Sequence, residues 1–167
     1  MNIQNNNDYF EINTIVAKTL YLGMFTNVLI PMGLLMLCYY ISQNYVVNNQ
    51  VGEMGNVLFF VFAFLAVAQG GFSYWKKTTV IQKKMNLSEN NFQSDLAKEV
   101  LRLFRPIFIS IASISLYGYL YFFLSGRFRE TAFFVLFSFL VFQFVRPRQG
   151  AIEKIITHQK MLMRQNN

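Results

Sequence analysis

Four stretches of this chain carry no formal charge, and they decide what it can become. Between Lys18 and Glu53 lie 34 uncharged residues, between Glu53 and Lys76 lie 22, between Arg105 and Arg127 lie 21, and between Glu130 and Arg146 lie 15. A helix needs about 20 mostly apolar residues to cross a hydrocarbon core about 30 Å thick. Three runs meet that length outright. The fourth reaches it by taking in Phe128, with Arg129 turning its long stem toward the headgroups. The expected spans lie near 19–41, 57–75, 107–124 and Phe128–Val145. Strands of a membrane barrel would alternate polar and apolar residues. Segments such as 57–65 do not alternate, so the spans are expected to be helices, which satisfy every backbone group within one segment.

Composition agrees. The chain is 54% apolar and 14% charged, against roughly 25% charged in soluble domains. Its 167 residues, 19 of them Phe, carry more apolar surface than one soluble domain of that length can hide. A single domain over 1–167 is expected. The first twelve residues hold Asp8 and Glu11 and no Lys or Arg. The first apolar run exceeds a signal h-region, so the first span is expected to be its own insertion signal. Cys38 is the single cysteine, which rules out an intrachain disulfide.

Lys and Arg near the membrane set orientation. Lys18 precedes the first span and the loop after it has no basic residue. The segment 76–106 holds Lys76, Lys77, Lys83, Lys84, Lys98, Arg102 and Arg105. The turn before the fourth span has Arg127 and Arg129, and the tail 146–167 has Arg146, Arg148, Lys154, Lys160 and Arg164. Alternate segments thus place 13 of the 15 basic residues on one side. That side is predicted to be cytoplasmic, with both termini and the connector there, in the cell's inner (plasma) membrane. Tyr74 and Trp75 suit the headgroup level at one end of the second span. Tyr39, Tyr40 and Tyr45, with Tyr119 and Tyr121, suit the outer ends of the first and third, although a core role fits some of these tyrosines equally.

The expected fold is an all-α membrane protein: four transmembrane helices as two antiparallel hairpins, a cytoplasmic helical connector and a C-terminal amphipathic helix. Gly126, in the short turn Ser125-Gly126-Arg127, suits the left-handed conformation that ends a helix. Asn86 to Asn91 is the expected break in the connector, with Ser94 or a neighbour capping the next helix. There Leu96, Val100, Leu103, Phe104, Ile107 and Ile111 share one face, and Pro106 either kinks the join or starts a new helix. In the tail, Ile152, Ile155, Ile156 and Leu162 oppose Glu153, Lys154, His158 and Lys160. Such a helix lies in the membrane interface, packs on the connector or is a frayed end.

Inside the spans, Thr19, Gly23, Asn27 and Pro31 recur every four residues. Pro31 removes a backbone donor and clashes with the Asn27 carbonyl, so a kink is expected. A tolerated packing proline is the plainer reading; a ligand-coordinating break is the sharper one. Ala63, Ala66, Gly70 and Ser73 form a small-residue stripe with Gln69 beside it, suited to close helix packing. Ser110, Ser113, Tyr117 and Tyr121 make a polar stripe, read first as interhelical hydrogen bonding and second as a pathway lining. The Phe-rich fourth span is expected to be the most lipid-exposed, or to dock on an apolar partner.

No Asp or Glu lies deep in a span, which argues against a proton or cation pump working alone. His158, the only histidine, sits in the tail with Cys38 expected across the membrane from it, so no metal cluster is expected. No phosphate-binding loop or nucleophile–His–acid set is present. An enzyme is therefore not expected, nor a cofactor. Lys76, Lys77, Lys83, Lys84, Arg146 and Arg148 flank spans, so anionic lipid headgroups are their expected contact and nucleic acid is not. Asn86-Leu87-Ser88 matches a glycosylation triplet but is expected to face the cytoplasm.

The Leu-Arg-rich start of the third span, the turn after Leu124-Ser125-Gly126, and an apolar fourth span ending in Arg146-Pro147 with a helical tail resemble small, uncharacterised four-span membrane proteins of bacteria, especially Bacteroidetes. The likeness covers roughly residues 96–156. It implies a class of membrane protein and no mechanism. The expected role is a non-catalytic accessory, assembly or scaffold subunit packing with membrane partners or with itself; a small oligomeric transporter or channel is the alternative.

Overall fold

The uncharged runs become helices. The computed structural model describes residues 3–45, 50–83, 85 and 92–166, and the regular structure among them is entirely helical. In chain order come α1 (Ile3–Met24), a π-helical segment (Phe25–Leu29), α2 (Ile30–Asn44), a 3-10 turn (Gly52–Met54), α3 (Gly55–Gln82), α4 (Phe92–Ser125), α5 (Phe128–Val145) and α6 (Gln149–Asn166). Four stretches are long and apolar enough to cross a membrane: Ile12–Asn44, Gly52–Val80, Ser94–Ser125 and Phe128–Val145. Each expected span falls inside one of them. The expected break at 86–91, the triplet at 86–88 and Lys84 lie outside the described residues.

Local chemistry sets the boundaries. Gly126 has φ 69° and its N–H donates to the Phe122 carbonyl at 2.8 Å, the left-handed arrangement that closes a helix. Ser125 Oγ donates to the Tyr121 carbonyl and accepts from the Arg127 N–H. Glu130 in the first turn of α5 suits the positive end of that helix. Pro106 starts no new helix, since α4 runs through it. Ser94 does not precede α4 as a cap, because the helix already includes Phe92.

The α4–α5 pair lies at the centre. Ser138 Oγ donates to the Ile111 carbonyl at 3.0 Å and Thr131 Oγ1 to the Gly118 carbonyl at 3.1 Å. Gly118 permits this approach: a Cβ there would sit 2.8 Å from Phe134 Cβ and 3.0 Å from the Thr131 carbonyl oxygen. With 3.6 residues per turn, Phe108 and Tyr119 fall on one side of α4, and Ser110, Ser113, Tyr117 and Tyr121 on the other. The helix α1–α2 rests on the first side, where Gly23 abuts Phe108 and Phe142 and Tyr119 reaches Pro31. Helix α3 rests on the second. Both outer helices also touch α5, through Tyr39–Phe128 on one flank and Phe59–Phe134 and Gly70–Val141 on the other. Among the described residues, the first two spans make their main contacts with this pair and not with each other.

This arrangement corrects the expectation for the fourth span. In an 18-residue apolar stretch of each span, half of the residues are buried within Ser94–Ser125 and 39% within Phe128–Val145, against 17% within each outer span. Phe134 and Phe142 are fully covered while Phe133, Phe139 and Phe144 are exposed. Thr131 and Ser138 mark the inward face, because small side chains let α5 close on α4.

The helices meet at two ends. At one, Gln50 N–H donates to the Leu124 carbonyl and Arg127 to Asn56 Oδ1. At the other, α6 packs on α1 and α3. Ile152 and Ile155 are fully buried there, in one cluster with Leu96, Val100 and Phe104 of the expected α4 stripe. This is the packed reading of the tail, with α1 and α3 as well as the connector backbone as its partners.

Candidate functional site

Two polar seams run along the outer helices, and they gather most of the residues singled out in the sequence. In the seam between α3 and α4, Gln69 is the hub. Its Nε2 donates to Ser113 Oγ at 2.5 Å and Ser110 Oγ at 3.3 Å, and its Oε1 accepts from Tyr117 Oη at 2.6 Å. Ser73 Oγ donates to Ser110 Oγ at 3.1 Å, and Ser113 Oγ to the Ser110 carbonyl at 2.7 Å. Five side chains are thus joined in one hydrogen-bonded cluster. The small-residue stripe supplies the space: Ala66 and Ser73 are buried, and a Cβ at Gly70 would lie 3.1 Å from Val141. Phe62 stacks on Tyr117 with ring centroids 5.8 Å apart, beside the cluster.

In the seam between α1–α2 and the central pair, the four-residue stripe is the buried face. Thr19 and Asn27 are covered to within 1%, and Gly23 and Pro31 are buried with them. Pro31 is accommodated by the π-helical segment: the Ile30 N–H reaches back five residues to the Phe25 carbonyl. The wider turn adds one residue ahead of the proline ring, which relieves its clash with the preceding turn. Tyr119 Oη then donates to the Pro31 carbonyl at 2.6 Å. Tyr119 and Tyr121 are both buried, so these two expected headgroup markers are core residues.

Asn27 is the unsatisfied member. Its Nδ2 donates to the Gly23 carbonyl at 3.1 Å and Thr26 Oγ1 at 2.9 Å, but its Oδ1 is buried without a hydrogen-bond partner. Tyr121 Oη, among the rings of Phe59 and Phe134, is also buried and unpaired. Such groups are uncommon in folded interiors.

The basic residues separate into different roles. Lys77 Nζ donates to the Phe144 carbonyl at 2.8 Å, placing a cation at the negative end of α5. Lys76 Nζ stands 5.6 Å from the centre of the Phe72 ring. Arg146 and Arg148 are exposed. Lys83 offers its carbonyl to Gln159 Nε2 at 2.8 Å, while Gln159 Oε1 accepts from the Met85 N–H at 3.0 Å. Gln159 is thus a buried clamp on the connector backbone. Periodicity assigns no such role to one polar residue in the tail, and neither does it foresee Ser115, Thr131 and Ser138 between α4 and α5. Their only signal is a small hydroxyl residue within a long apolar run.

Among the described residues, the hydrogen bonds of the two seams join amides, hydroxyls, phenols and backbone carbonyls. Among the described residues no group of His, Cys, Asp and Glu could hold a metal ion. This chemistry joins helices to one another. The class defined is an all-helical protein with four helices apolar enough to cross a membrane. No protein-family model, no curated protein and no solved structure matches the chain.

Proposed function

We propose that the chain is a multi-pass protein of the bacterial inner membrane that acts without catalysis, as an accessory, assembly or scaffold subunit packing against membrane partners or further copies of itself. The carrying observation is the hydrogen-bonded α3–α4 cluster: Gln69, Ser73, Ser110, Ser113 and Tyr117 bond one another, which supports a structural role over a pathway lining. The outer helices support the same reading. Most of their circumference presents large apolar side chains, such as Met36, Phe60 and Phe64 at 67%, 69% and 74% exposure. Lipid or another membrane helix suits that surface.

The topology in this reading has two antiparallel pairs in chain order, with both termini, the connector and α6 in the cytoplasm. The basic residues support it, since 13 of 15 belong to those segments. The likeness to small four-span bacterial membrane proteins belongs to the same proposal. A second reading, a small oligomeric transporter or channel, draws on the unpaired Asn27 Oδ1 beside the π-helical segment.

Affinity purification in a mild detergent tests the first reading. A stable partner or a defined oligomer is expected, and a solitary monomer at all detergent concentrations would count against it. Vesicles reconstituted with the protein should show no flux of ions or small solutes above empty vesicles; a saturable flux would favour the second. A reporter fused at Asn90 should lie in the cytoplasm, and an outward reporter would overturn the topology.

A further inference from the structure

Asn27 is the buried residue of the π-helical segment. It stands more than about 20 Å along the helix from either end of the stretch Ile12–Asn44. Its Nδ2 is used within the helix, on the Gly23 carbonyl and Thr26 Oγ1. Its Oδ1 has no hydrogen-bond partner among the described residues, although the residue is only 1% exposed. The backbone beside it is also short of a donor. Ile30 N–H takes the Phe25 carbonyl, so the next carbonyl in that register, of Thr26, falls to Pro31, which has no N–H.

The walls around this amide change size along the seam. On one side of Asn27, Gly23 meets the rings of Phe108 and Phe142. On the other, the Pro31 carbonyl meets Tyr119. Positions 108, 112, 115 and 119 share one face of α4, so between its two rings that face carries only Ala112 and Ser115. On α5 the residue one turn back from Phe142 is Ser138, whose Oγ lies 3.5 Å from Ser115 Oγ. Three small residues thus lie between the ring contacts, where the first span carries its unpaired oxygen. Ser115 Oγ donates to the Ala112 carbonyl at 2.9 Å and Ser138 Oγ to the Ile111 carbonyl at 3.0 Å. What these hydroxyls have left to offer is lone pairs.

An amide oxygen left unpaired in an apolar interior costs more than the ordering of one water. A cation in its place would bring an unneutralised charge to mid-membrane, since no Asp or Glu lies at this depth. Water brings two donors and no charge, and a buried water takes two or more polar partners. We infer that one water molecule is held between the π-helical turn and the small-residue floor of α4 and α5, donating to Asn27 Oδ1 and bridging it to a second acceptor there. The inference goes beyond the proposed role. It rests on packing alone and is the same for either orientation of the chain.

Solid-state NMR of the full chain in phosphatidylcholine vesicles provides the test, with isotope-labelled Asn and Gln side-chain amides and water as the probe. Asn27→Leu identifies the Asn27 signal by its loss. Magnetisation should pass from water to the Asn27 side-chain carbonyl. It should not reach that of Gln69, whose oxygen is taken by Tyr117 Oη. Ala112→Val, which fills the floor, should abolish the transfer to Asn27. No transfer to Asn27 in the parent protein would overturn the site, whether or not the variant folds. Transfer that persists in a folded Ala112→Val would overturn its placement on α4. Comparable transfer to Gln69 would replace one held water with a hydrated path. A shift of the Asn27 carbonyl resonance when sodium chloride replaces choline chloride would reassign the ligand to a cation.

Discussion

Replacing Gly118 with alanine asks whether the α4–α5 contact is as close as its hydrogen bonds imply. The added Cβ would lie 2.8 Å from Phe134 Cβ, and ordinary contact begins at 3.4 Å, so the helices must part by about 0.6 Å at that level. Neither obstacle can swing away: one is a Cβ and the other, at 3.0 Å, is the Thr131 backbone oxygen. Parting them stretches the 3.1 Å bond from Thr131 Oγ1 to the Gly118 carbonyl out of hydrogen-bond range. Overpacking of this kind costs about 1–3 kcal/mol, and a lost interhelical bond adds roughly 0.6 kcal/mol. Alanine returns up to about 1 kcal/mol through helix propensity, which leaves a net loss near 1–3 kcal/mol. Gly23 is the graded comparison. Its Cβ would meet ring edges of Phe142 and Phe108 at 2.6 and 2.9 Å, and rings can tilt. Gly33, with nothing within 4 Å, is the control. Thermal unfolding in one detergent should give the order Gly118→Ala below Gly23→Ala below Gly33→Ala, with Gly33→Ala at or above the parent. Gly118→Ala unfolding with the parent would refute the close contact and the central place of the α4–α5 pair.

The two remaining predictions concern the buried amides. Gln69→Leu leaves Tyr117 Oη without its acceptor and the Ser113 and Ser110 hydroxyls without their donor, so a loss of about 1–2 kcal/mol is expected. In a double-mutant cycle with Tyr117→Phe the two losses should be non-additive, and simple additivity would refute the hub. Gln159→Leu removes both bonds to the connector backbone at Lys83 and Met85, so limited proteolysis should cut the connector faster while detergent melting of the spans changes little; equal cutting rates would refute the clamp.

How legible the fold was depends on the kind of signal each feature leaves. Uncharged length is a direct consequence of the solvent, so the four helices could be placed from residue type alone. The stripe Thr19, Gly23, Asn27, Pro31 was legible because a helix buries one narrow face and small or polar residues mark it in an apolar surround. Gln69, Ser73, Ser110, Ser113 and Tyr117 were legible for the same reason, and they come together in one cluster. The packing order was not. Lipid is as apolar as a protein interior, so a phenylalanine does not declare which way it faces: Phe134 is covered and Phe133 exposed, one residue apart. The π-helical turn was hidden as well. Pro31 announces a disturbance, but not whether the chain kinks or widens there. Gln159 reads as one more residue of a tail helix until the connector backbone, more than seventy residues away, arrives to use both ends of its amide.

That packing order bears on which proposed role is easier to sustain. Each outer helix buries one seam against the α4–α5 pair and leaves its other faces to its surroundings. A water path through a single copy would have to run between α4 and α5, or along an outer seam. The first is closed by the Gly118 approach and by Ser138 on the Ile111 carbonyl. The α3–α4 seam is closed by the Gln69 cluster, whose polar groups already bond one another. The α1–α2 seam is closed above and below Asn27 by the Gly23–Phe108 and Pro31–Tyr119 contacts, which leaves its free oxygen as an isolated acceptor and not a link in a chain of them. Conduction would therefore require a surface shared between copies, and the exposed faces of the outer helices offer apolar side chains for such an assembly. A role in holding other membrane helices asks nothing of the interior and uses the surface as it stands.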